Sequence, residues 1–74
     1  MSAVRRSGVI ADHGSLEAYR AYVIKGREAS SLAISMTREN ETPDQDLITL
    51  LEQNVLDWEC DLAWVDAELS KEAA

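Results

Sequence analysis

One row of side chains narrows the possible folds of this chain more than any other feature. Ile48, Leu51, Val55, Trp58, Leu62, Val65 and Leu69 follow one another at spacings of 3, 4, 3, 4, 3 and 4 without a break. That rhythm keeps large apolar groups on one stripe of an α-helix, whereas a strand would need a period of two. It predicts a helix over about 43–72, a rod of about 45 Å at ~1.5 Å per residue. A chain of 74 residues has little left with which to bury such a rod. Chains this short seldom offset their conformational entropy without disulfides, a metal or a partner.

The segment before it reads as a second helix, over about 15–38. Ser15 is placed as an N-cap, with Glu17 in the positively polarised first turn. Tyr19, Tyr22, Gly26, Ala29, Ala33 and Met36 repeat at 3, 4, 3, 4, 3, with Leu16 and Val23 on the same side. The small centre of that seam, Gly26, Ala29 and Ala33, invites close approach by another helix. Gly26 costs roughly 1 kcal/mol of helix propensity against alanine, which close packing would justify.

Between the helices, residues 39–42 read as a turn. Thr42 is placed as N-cap, Pro43 as the first helical residue and Gln45 as the closing member of a capping box. A loop this short makes the helices antiparallel neighbours. Residues 1–14, interrupted by Gly8, Asp12 and Gly14, read as a flexible arm. The expected fold is therefore all-α, an antiparallel two-helix hairpin over 15–74.

Cysteine and histidine usage removes the usual staples. Cys60, expected to be buried in the second helix, is the only cysteine, so no disulfide closes within the chain. His13 is the only histidine, whereas zinc sites use three or four His, Cys or carboxylate ligands. Oligomerisation remains, and a two-fold homodimer of hairpins, a four-helix bundle, is the simplest form. The main seams supply its core: Tyr19, Tyr22, Gly26, Ala29 and Ala33 from the first helix, with Ile48, Leu51, Val55, Trp58, Leu62, Val65 and Leu69 from the second.

Charge is divided along the chain. Residues up to Arg38 carry six basic and three acidic groups, +3, and those from Glu39 carry eleven acidic groups and Lys71, −10, giving the total of −7. Opposite signs favour folding one half on the other. The surplus acid opposes phosphate binding and suits a basic partner. No apolar run approaches the ~20 residues of a membrane span, and the expected location is the cytoplasm.

The second helix is apolar on more than one side. Leu56, Cys60, Ala63, Trp64 and Ala67 form another set, with Leu50 at its margin. A helix covered on one face only would not carry it. Part of this set is expected in the dimer core. The rest forms a candidate docking site, Trp64 surrounded by Asp46, Leu50, Asp57, Asp61 and Glu68, an aromatic anchor within a charged rim.

No catalytic pattern competes with this reading. Glu52, Glu59 and Asp66 align at seven-residue spacing, but paired carboxylates need a concave pocket. Glu-x-x-His is absent, and Gly8, Gly14 and Gly26 are too scattered for a phosphate loop. No cofactor is expected. Tyr19 and Tyr22 lie away from Arg20, Lys25 and Arg27, so stacking and cations do not converge for single-stranded nucleic acid. The expectation is a small acidic, non-enzymatic regulator that binds and blocks a basic-surfaced protein such as a transcription factor, in the manner of compact inhibitors from phages and mobile elements. Alternatives are a subunit that completes a larger helical assembly, a DNA mimic, or a helical-hairpin RNA-binding regulator.

Overall fold

The computed structural model describes residues 2–73, so Met1 of the expected arm and Ala74 of the expected hairpin segment lie outside it. The fold is all-α, with three helices and no strand among the described residues: α1 (Ser2–His13), α2 (Leu16–Arg38) and α3 (Gln45–Ala73). Two helices were expected. The third is the stretch read as an arm.

α2 starts where its cap dictates, with Ser15 in extended conformation and its Oγ accepting a hydrogen bond from Ala18 N at 3.0 Å. It ends at Arg38, where Glu39 N donates to Ser35 O at 3.2 Å. The start of α3 differs from the capping box expected at Thr42. Asp44 holds that place: its Oδ1 accepts from Leu47 N at 3.1 Å, and its carbonyl accepts from Ile48 N at 3.0 Å. Thr42 and Asp44 are both competent caps, but only Asp44 brings a formal negative charge to the helix N-terminus.

Ion pairs fix the sense of α2 against α3. Arg20 meets Asp66 at 2.6 Å near one end, and Arg38 meets Glu52 at 3.7 Å near the other, so the helices run antiparallel. Between these pairs the Trp58 indole lies over Gly26. A methyl added at Gly26 would fall 2.5 Å from ring carbons, inside any real contact distance. Close approach is thus the reason for glycine there.

The hydrophobic core is small: Leu16, Tyr19, Val23 and Val65 form one buried cluster, with Val9, Trp58, Leu62, Trp64 and Leu69 packed on it, and Ile48 is buried nearer the turn. Leu51, Val55 and Ala33 are half-buried.

The face that α2 buries is Leu16, Tyr19, Val23, Gly26, Ser30, Ala33 and Thr37, again at 3, 4 spacing. Within one chain this differs from the expected seam, in that Tyr22 is 52% exposed, Met36 60% exposed, and Ala29 is exposed. Ser30 and Thr37 are buried in their place. Thr37 tolerates burial because its Oγ1 donates to Ala33 O at 2.7 Å.

α1 stops at Gly14, whose φ of +94° is open to glycine and strained for other residues. Gly14 N donates to Ile10 O at 2.8 Å, closing the last turn. His13 then sits among aromatic rings, 5.0 Å from Tyr19 and 4.8 Å from Tyr22 between centroids. α1 packs on α2, its arginines reach the C-terminal part of α3, and the turn end of the α2–α3 pair is left uncovered.

Candidate functional site

The expected docking residues, Asp46 apart, fall on one row of α3. Leu47, Leu50, Asn54, Asp57, Asp61, Trp64 and Glu68 follow one another at 3, 4, 3, 4, 3, 4, a second stripe beside the main seam of α3. On α2 the exposed set Tyr22, Ala29 and Met36 runs beside the buried one. Gly26, Ala29 and Ser30 face Asn54, Asp57, Trp58 and Asp61 across an open groove of about 480 Å³. Of the two stripes, Ala29 on α2 and Asn54, Asp57 and Asp61 on α3 line that groove. The spacing that places Leu47 and Asn54 on this row is present in the sequence, but Asn54 interrupts its apolar pattern.

α1 fills one end of this arrangement. The Arg5 guanidinium lies 4.1 Å from the centroid of the Trp64 ring and pairs with Asp61 at 2.9 Å. Arg6 reaches Glu68 at 3.6 Å and also pairs with Glu72. Val9 packs on the buried cluster. The acidic surface around Trp64, expected to be free, is therefore covered by a basic helix of the same chain. Trp64 itself packs on the core, edge-on to Tyr19 at 6.1 Å between centroids.

Glu68 is the most committed carboxylate of the set. It is 5% exposed, and Lys71 Nζ donates to its Oε1 at 3.2 Å while Arg6 sits on the other oxygen. A buried carboxylate is stable only when paired in this way. The remaining contacts of α1 are individually modest. Half-exposed ion pairs contribute about 0.2–1 kcal/mol each, and an arginine on an exposed indole about 0.5–1 kcal/mol. Twelve residues are also marginal for an isolated helix, so the helicity of α1 depends on docking.

Other expected site residues are apart from α1. Asp46, Leu50 and Asp57 are exposed, Leu50 by 59%. Gln53 Nε2 donates to Asp57 Oδ1 at 3.3 Å. The second apolar set of α3 is split. Trp64 and Leu50 belong to the groove stripe, whereas Leu56, Cys60, Ala63 and Ala67 lie exposed on a different side of the helix. Cys60 was expected to be buried and is exposed.

Among the described residues no His, Cys, Asp and Glu side chains group as a metal site would require. No described helix is long and apolar enough to cross a membrane. Comparison with protein-family models, curated proteins and solved structures yields no match.

Proposed function

We propose that this chain is a small acidic regulatory protein without enzymatic activity, which binds a basic-surfaced protein and blocks that protein's normal contacts. The groove between α2 and α3 receives the partner. What supports this reading above all is a groove lined by Ala29, Trp58, Asp57 and Asp61, with Met36 and Leu50, each about 60% exposed, elsewhere on the same two helices. Large apolar side chains held open within a charged border are the anatomy of a protein contact. The combination suits an amphipathic helix laid into the groove, apolar side inward and cations toward the rim. A transcription factor fits the required chemistry, since its DNA-binding surface is basic.

The test is affinity capture with the whole chain against a Leu50→Asp/Asp57→Lys double variant. Both positions are exposed in the folded chain, so helicity by circular dichroism should be unchanged. The expected result is that proteins of basic surface are retained by the native chain and lost by the variant. Equal capture by the two would reject the groove as the binding surface.

The working unit of this regulator is a homodimer in which α3 meets its own copy through Leu56, Cys60, Ala63 and Ala67. The supporting observation is the 55% exposure of Leu56 on a strip of otherwise small residues, which lets two helices come close. Two antiparallel pairs joined there make a four-helix bundle and leave both grooves open. Light scattering should give twice the 8.2 kDa chain mass, and Ala63→Glu should halve it. A native mass of one chain, or a variant that stays dimeric, would remove this interface.

A further inference from the structure

We propose that the α3 surface formed by Asp61, Trp64, Glu68 and Glu72 is itself a site for a basic amphipathic helix of the partner protein, and that α1 occupies it in cis. This inference rests on the regulatory reading above and adds the chemistry of the partner and a restraint on its access.

The occupant is specified by what already sits there. Arg5 covers the Trp64 ring at 4.1 Å while pairing with Asp61, Arg6 engages Glu68 and Glu72, and Val9, three residues after Arg6, enters the apolar cluster. Two adjacent arginines followed at one turn by an aliphatic residue are therefore the elements that the surface recognises. The site is also continuous with the open groove, because Asp61 lines the groove and simultaneously holds Arg5. A longer basic helix entering from the open end along Leu50 and Asp57 meets α1 at Asp61. It gains the remaining carboxylates and the indole face only by displacing α1.

Displacement is feasible because α1 is held on α3 by charge. Its contacts with the buried cluster are Val9 and the His13 ring against Tyr19, while Val4 and Ile10 stand exposed. An external helix carrying the same charges replaces these contacts like for like and adds those of the open groove. The chain then binds such a partner with an affinity reduced by the fraction of molecules in which α1 is docked.

The experiment uses full-length protein, native and Arg5→Ala/Arg6→Ala, with a fluorescently labelled synthetic peptide of residues 2–13 as the probe. A second peptide carries glutamine at both arginines. The double variant should bind the arginine peptide at least tenfold more tightly than the native chain does, and the glutamine peptide should bind neither protein. An Arg5→Gln variant, which leaves Arg6 on Glu68, should fall between the two and guards against loss of fold in the double variant. Equal affinity for native and variant chains, binding indifferent to the peptide's arginines, or no binding to any chain would each overturn the proposal. These outcomes leave the open groove untouched, so they are distinguishable from failure of the capture experiment at Leu50 and Asp57.

Discussion

Leu16→Ala is expected to remove a third or more of the stability of this protein. Leu16 is 2% exposed and belongs to a buried cluster with only three other members, Tyr19, Val23 and Val65. Truncating a buried leucine costs about 2–5 kcal/mol, the larger values arising where neighbours cannot collapse into the cavity. At roughly 0.05–0.15 kcal/mol per residue, a folded chain of this size holds roughly 4–11 kcal/mol in total. One side chain therefore carries an unusually large share. Leu16 also opens α2 directly after the Ser15 cap and supports Val9, so its loss loosens α1 together with the core. Urea unfolding followed by circular dichroism should show a midpoint reduced by a third or more. A change below about 1 kcal/mol would mean that the cluster is not the principal core, and that the helices are held chiefly by their ion pairs.

The reasons such positions are hard to find from sequence lie in particular residues. The helical nature of α3 was legible because every position of its main stripe is large and apolar. The register of α2 was not. Its two candidate stripes share Tyr19, Gly26 and Ala33, with Val23 beside both, and differ in whether Tyr22, Ala29 and Met36 or Ser30 and Thr37 complete them. Apolarity favours the first set, yet the fold buries the second, because Ser30 and Thr37 are small and Thr37 returns its hydroxyl to the backbone. α1 was missed for a different reason. Gly8 and Asp12 weaken its local helical signal, and the contacts that hold it, Arg5 to Asp61 and Arg6 to Glu68, span more than fifty residues. Local periodicity cannot register a contact of that separation. The charge division between the two halves did point to it: Arg5, Arg6, Arg20 and Arg38 all pair with carboxylates beyond Glu39. The docking residues were similarly legible as a group around Trp64 but not as the wall of a groove, since the opposite wall depends on the register of α2.

Trp64→Ala is the second substitution with a large expected effect, and its interpretation changes once α1 is in place. On a free surface, removing the indole would affect binding alone. Here Trp64 packs on the buried cluster, meets Tyr19 edge-on and lies under Arg5. Truncating a fully buried tryptophan costs about 3–5 kcal/mol, and the partial exposure of Trp64 brings the expected loss to about 2–3 kcal/mol. Lost binding by this variant would therefore report unfolding as much as a missing anchor. Trp64→Leu separates the two. Leucine retains much of the apolar packing but has no ring for Arg5 or Tyr19, so its specific deficits are the cation–π contribution of about 0.5–1 kcal/mol and the edge-on contact with Tyr19. Chemical denaturation of both variants, followed by helicity, should place Trp64→Leu near the native chain and Trp64→Ala well below it. Proton spectra of the arginine side chains should also show Arg5 losing its ring-current shift equally in both, because that shift depends on the aromatic face alone. If Trp64→Ala were as stable as the native protein, Trp64 would be no part of the core and α1 would have no aromatic seat. A stable Trp64→Leu that retains the α1 helix would identify charge pairing to Asp61, Glu68 and Glu72 as the dominant hold on that helix, which is the condition under which a basic partner can replace it.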